Sequence, residues 1–225
     1  MTPKTLDHVA VWLTDRDRVA GFLTRYVGMH VIERNERFTL VGSDARRGKL
    51  TLFAADEPRE QGALKHVALR VSSLDRARAA LPSGHGDVLD LGEGLELRLV
   101  EAPTDVDYDL DHVALTSADP EATARAYETL GFVPAEPGPS GAPRVEVAGA
   151  WVEFHEGDPG APERPLLHHL AVLVDSAADH RDEAEQVGVD VLDWVDAPNT
   201  LAVFLQGPDA VRVEYVEHKP TFSLV

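Results

Sequence analysis

Apolar and polar residues alternate with a period of two in four separate stretches, and all four share one spelling. They read Leu6-Asp7-His8-Val9-Ala10-Val11, Leu64-Lys65-His66-Val67-Ala68-Leu69, Leu110-Asp111-His112-Val113-Ala114-Leu115 and Leu167-His168-His169-Leu170-Ala171-Val172. Such alternation predicts half-buried strands. In the first, Leu6, His8, Ala10 and Trp12 fall on one face, and Asp7, Val9, Val11 and Leu13 on the other. A helix signal follows each strand. The first helix is predicted from about Asp15 to Tyr26, stopping at Gly28. In the second unit, Ser72 or Ser73 starts a short helix ending before Pro82. In the third, Asp119 caps a helix over 120–129. In the fourth, Asp175 or Ser176 caps one that stops at Gly188.

Short strands with turn residues between them come next, as in Arg144–Val147 and Trp151–His155, or Thr200–Leu205 and Val211–Val216. Each unit therefore reads β-α-β-β-β. The motif histidines lie 58, 46 and 57 residues apart, with 104 from His8 to His112 and 103 from His66 to His169. The chain thus reads as a duplication of a duplication. Three linkers rich in Pro, Gly and Asp separate the units: Asp56–Gly62, Ala102–Asp107 and Glu156–Pro165. Taking the middle one as the boundary predicts two domains, 1–103 and 108–225, each a pair of consecutive units.

Composition narrows the chemistry. The chain has no cysteine, so thiolate metal sites, disulfides and cysteine nucleophiles are excluded. The formal charge of −18 argues against nucleic acid and anionic membranes as partners. No apolar run reaches the length of a membrane span, and the N-terminus lacks a signal-peptide core, so a cytoplasmic location is expected. Any metal must be held by His, Asp, Glu or water, which suits Fe(II), Mn, Ni, Co or Zn.

A βαβββ unit with His on its first strand resembles the vicinal oxygen chelate superfamily, which includes glyoxalase I, extradiol dioxygenases, methylmalonyl-CoA epimerase and the bleomycin and fosfomycin resistance proteins. Four registered copies, together with Val27-Gly28, Leu130-Gly131-Phe132 and Gly207-Pro208-Asp209, extend the resemblance over the whole chain. It implies an α+β fold in which paired units form cup-shaped mixed sheets with the metal inside. Ligands then come from the first and last strands. Aligning the last strands places Thr51, Arg98, Glu153 and Glu214 at equivalent positions. With consecutive units paired, the C-terminal cup offers His112, Glu153, His169 and Glu214. The N-terminal cup offers His8, Thr51, His66 and Arg98, a poor set for a cation, so its metal site is expected to be lost.

Four-unit members of this type are the extradiol dioxygenases. The resemblance to them implies Fe(II) on His112, His169 and Glu214, with His155 as acid/base and a small catecholic substrate. Glu153 is either a fourth ligand or a catalytic carboxylate. If it coordinates, the set resembles glyoxalase I, with proton-transfer chemistry. A metal-free drug- or metabolite-binding cup is the third reading, and a homo-oligomer stays open. Arg144 and Arg212 are candidates either for an anionic substrate group or for surface ion pairs. His168 is expected to face away from His169, and His180 and His218 to be solvated.

Overall fold

In the computed structural model, which describes residues 1–44 and 47–222, the four units follow one another along the chain. Unit one contains β1 (Thr5–Leu13), α1 (Arg16–Phe22), β2 (His30–Arg34), β3 (Phe38–Asp44) and β4 (Arg47–Ala54). Unit two contains β5 (Leu64–Val71), α2 (Leu74–Ala80), β6 (Val88–Asp90) and β7 (Glu96–Glu101). Unit three has β8 (Asp109–Ser117), α3 (Pro120–Glu128), β9 (Val133–Ala135), β10 (Arg144–Val147) and β11 (Ala150–Glu156). Unit four has β12 (Leu167–Leu173), α4 (Ala177–Val187), β13 (Val191–Asp196), β14 (Thr200–Gln206) and β15 (Arg212–His218). Unit two is thus one strand short of the predicted pattern.

The helices start where the sequence places caps. The side chains of Asp15, Ser73, Asp119 and Ser176 each accept a bond from the backbone N–H three residues on. The first helix ends early as an α-helix and continues as a π-turn over Leu23–Val27. Gly28 then stops it at φ +82°, a conformation that glycine adopts without strain.

Two mixed sheets result. One runs β13-β14-β15-β12-β1-β4-β3-β2 and the other β6-β7-β5-β8-β11-β10-β9. Within each unit the first strand pairs parallel with the last: β1 with β4, β5 with β7, β8 with β11 and β12 with β15. Units join through the free edge of their first strands, antiparallel, β1 with β12 and β5 with β8. The pairing is therefore one with four and two with three. Consecutive units do not pair as 1–103 and 108–225, and the sheets cross that boundary. The physical reason is that all four first-strand edges carry the same motif and any two can match. The short 102–107 linker lets β8 fold directly back on β5. This uses up both inner edges and leaves β1 and β12 for each other. One contiguous apolar cluster, including Val9, Leu52, Leu69, Val113, Tyr127 and Leu170, then spans all four units.

This pairing can be tested without background thiols, since the chain has no cysteine. Thr5 and Leu173 are cross-strand partners. Their Cα atoms should lie about 4.5–5.5 Å apart, within reach of a disulfide. A Thr5→Cys, Leu173→Cys variant should oxidise to an intramolecular crosslink visible by mass spectrometry. Thr5→Cys with Arg70→Cys, the pair that consecutive-unit pairing would bring together, should stay reduced.

Candidate metal centre

The repeated His-x-Ala spelling acquires a spatial meaning in the first-strand ladders. Antiparallel pairing sets each histidine opposite an alanine: His8 with Ala171, Ala10 with His169, His66 with Ala114 and Ala68 with His112. On its other side each alanine faces the last strand at one position: Ala10 with Thr51, Ala68 with Arg98, Ala114 with Glu153 and Ala171 with Glu214. The alignment of last strands made from sequence thus holds in register. An alanine thus sits between the histidine of one strand and the last-strand position of its own unit in every case.

The new pairing redistributes the expected ligands. His169 and Glu214 lie in the eight-stranded sheet and meet His8, not His112. The separations are 2.9 Å between His8 Nε2 and His169 Nε2, 2.9 Å from His169 Nε2 to Glu214 Oε2, and 3.3 Å from His8 Nε2 to Glu214 Oε2. His112 and Glu153 lie across the other ladder with His66, so the predicted set of His112, Glu153, His169 and Glu214 is divided between two cups. Among the described residues, His8, His169 and Glu214 are the one group of His, Asp and Glu whose ligand atoms all fall within 4.8 Å of one another.

The geometry of this group fits a divalent cation. Ligand atoms at about 2.1 Å on adjacent octahedral positions are about 3.0 Å apart (√2 times the bond length). The three observed separations match the edges of one octahedral face. Two imidazoles and one carboxylate are the donor set of the facial triad that binds non-haem iron. The fourth equivalent position holds Thr51, a buried neutral hydroxyl that brings no fourth charge.

β-Bulges explain the polar surroundings. The registers of β1 with β12 and β5 with β8 slip at Asp7, Lys65, Asp111 and His168, the residue before each motif histidine. A bulge turns the preceding side chain toward its neighbour's side, against simple alternation. Asp7 Oδ1 therefore accepts from His8 Nδ1 at 2.6 Å, and Asp111 Oδ1 from His112 Nδ1 at 2.8 Å. His168 does not face away from His169, because their Nδ1 atoms are 2.6 Å apart. The repeated Asp-His dipeptide was the available sequence signal for the first two contacts.

Asp7 is also bound by Lys49 Nζ at 2.9 Å and by His218 Nε2 at 3.0 Å, so His218 belongs to the site and not to a solvated tail. Burial alone would raise the Asp7 carboxyl, but the Lys49 charge and the bonds from His218 and His8 hold it far below the ordinary range. His8 is driven the other way. Burial opposes its charge, yet bonds to Asp7 and Glu214 carry it up to about 9. The His8 ring thus lies between two carboxylates, Asp7 at Nδ1 and Glu214 at Nε2. Burial lowers His169 despite Glu214.

The cup of units two and three differs. His66 Nε2 and His112 Nε2 are 3.1 Å apart, but His112 Nε2 is 3.9 Å from Glu153 Oε2. Glu153 turns to His155 Nε2 at 3.6 Å and Arg144 at 3.7 Å. Burial, with the charge of Arg98 behind it, pushes His66 down to about 3. His155, expected beside the metal, thus sits with Glu153 in the cup that lacks a convergent triad. His8, expected in a cup whose metal site is lost, lies instead in the one convergent group among the described residues. His180 is buried rather than solvated. It accepts from the Thr2 N–H and stacks on Tyr215.

Comparison with known proteins agrees with this architecture. Residues 5–89 match the family model "Glyoxalase/Bleomycin resistance protein/Dioxygenase superfamily". That match takes in the first unit and most of the second, somewhat over a third of the chain. A candidate dioxygenase from Bacillus subtilis subsp. subtilis str. 168 superposes with a TM-score of 0.79 at 15% identity, covering 98% of this chain and 87% of its own. Glyoxalase I from Zea mays gives 0.72 at 16% identity, covering 95% and 92%. Its V278E mutant gives 0.73 at 17% identity with the same coverage. At these identities the likeness is one of fold. No curated protein matches the sequence.

Asp7 and Lys49 form a fully buried ion pair beneath the triad. Breaking a buried ion pair by removing one partner costs about 3–5 kcal/mol. Asp7→Asn and Lys49→Met should each lower stability to urea by about that amount, and the double variant should recover part of it.

Proposed function

We propose that this chain is a member of that superfamily and a divalent-metal enzyme whose centre is His8, His169 and Glu214, and that it is an Fe(II) extradiol-type dioxygenase acting on a small catecholic substrate. The observation that carries this reading is the closed triangle of three ligand atoms with octahedral-edge separations and no fourth carboxylate. Fe(II) bound there supplies open positions for the two vicinal oxygens of a catecholate and for dioxygen. The remaining work falls to the chain itself. The Asp7–Lys49 pair fixes the His8 ring through Nδ1, which aims Nε2 at the cation. Phe53, stacked on His168 at 4.5 Å, and Phe204, edge-on to His169 at 5.2 Å, wall the space above the ligands with rings. That wall orients a planar substrate and excludes water. A glyoxalase-type site with four protein ligands is disfavoured by Thr51, which stands where the other cup has Glu153.

The chain should bind one divalent ion. His8→Ala and Glu214→Ala should each reduce metal content to background, while His112→Ala should retain it, by elemental analysis after gel filtration. Retention by His8→Ala would move the centre elsewhere. Protein reconstituted with Fe(II) should consume dioxygen in step with catechol. Isomerisation of a 2-oxoaldehyde–thiol adduct without oxygen uptake would favour the proton-transfer reading instead.

A further inference from the structure

The metal-bearing cup contains two arginines that the structure leaves incompletely paired. Arg212 lies on β15 two residues before Glu214, hence on the same face of the strand. Its guanidinium sits over the Phe204 ring at 4.8 Å, and its Nε is buried with no hydrogen-bond partner. Its charge also bears on both His168 and His169. The expected surface ion pair does not form among the described residues. Arg59 comes from the linker after β4. Its side chain is 7% exposed and lies over the Trp12 ring at 5.1 Å. One of its nitrogens reaches Asp56 at 3.3 Å, while Nε and Nη1 are buried and unpartnered.

These groups border one set of rings. Trp12 is 5.0 Å from both Phe53 and His168, and Phe53 is 6.3 Å from His169. Phe204 lies edge-on to His169 at 5.2 Å. A buried guanidinium N–H without an acceptor is costly, because it has lost water and gained nothing. Two such cations above an aromatic wall beside a cation site have a simple common complement. We propose that the cup selects a planar aromatic substrate bearing a carboxylate, with the ring between the aromatic side chains and the carboxylate held by Arg212 and Arg59. Guanidinium suits this role, since it presents a planar fork to a carboxylate and stacks on rings at the same time. The identification of the ring-bound diol rests on the dioxygenase reading above, but the anion contact rests on the arginines alone.

The test is calorimetric titration of the Fe(II)-loaded protein without oxygen, and of the metal-free protein, with three probes: 3,4-dihydroxybenzoate, catechol and benzoate. The loaded wild type should bind 3,4-dihydroxybenzoate roughly 10- to 100-fold more tightly than catechol, the worth of a charge-assisted contact. Arg212→Met and Arg59→Met should each shrink that ratio, and Arg212→Lys should restore part of it. Circular dichroism and metal content of the variants guard against misfolding. Equal affinity for catechol and 3,4-dihydroxybenzoate would overturn the carboxylate proposal while leaving the dioxygenase reading intact. Arginine-dependent binding of benzoate and 3,4-dihydroxybenzoate alike, indifferent to metal, would uphold the anion contact and sink the dioxygenase reading. A failure of all three probes to bind would overturn the proposal.

Discussion

The antiparallel ladder between β1 and β12 is the constraint on which the site depends. It places Ala171 opposite His8 and Ala10 opposite His169, so the two rings lie diagonally over small neighbours and their Nε2 atoms come within 2.9 Å. The parallel partner of β12 then delivers Glu214 beside Ala171. None of His8, His169 and Glu214 is on a loop. Each sits on a strand hydrogen-bonded on both sides, which gives a metal site the rigidity it needs. The ladder also removes the two unpaired edges that isolated units would expose.

The bulges adapt this rigid frame to chemistry. A regular strand would send Asp7 away from His8. One extra residue instead turns the carboxylate back to the Nδ1 of the ligand histidine. Burying that carboxylate demands a counter-charge, and Lys49 and His218 answer it from two different strands of the same sheet. The other cup repeats the arrangement, with Asp111 on His112 and Arg70 on Asp111 at 3.2 Å. The orienting pair is thus a property of the repeat, while the ligand set is a property of one cup.

The two cups diverge at the last-strand positions. In one, Thr51 and Glu214 flank two histidines, leaving a single carboxylate in an octahedral-edge triangle. In the other, Arg98, paired with Glu96 at 2.7 Å, bears on His66 by its charge, and Glu153 is drawn off toward His155 and Arg144. The same backbone frame therefore holds one arrangement whose ligand atoms converge and one whose do not. The cups differ at these positions by two side chains, Thr51 and Glu214 against Glu153 and Arg98.

Much of this is legible in the amino-acid sequence. The motif spacing establishes four units, their helix caps and the α+β class, because strand alternation and capping are local effects. The equivalence of Thr51, Arg98, Glu153 and Glu214 is equally readable, and the ladders carry it without a slip. The same reasoning groups His169 with Glu214, whose Nε2 and Oε2 lie 2.9 Å apart. Which histidine joins them is not readable. All four first strands carry the same edge, so sequence cannot distinguish unit one paired with two from unit one paired with four. Only the tertiary structure, through the short turn from β7 into β8 and the closure that follows, chose His8 over His112. The bulges escape for a related reason. A bulge is a mismatch between two strands, and neither strand holds that information by itself.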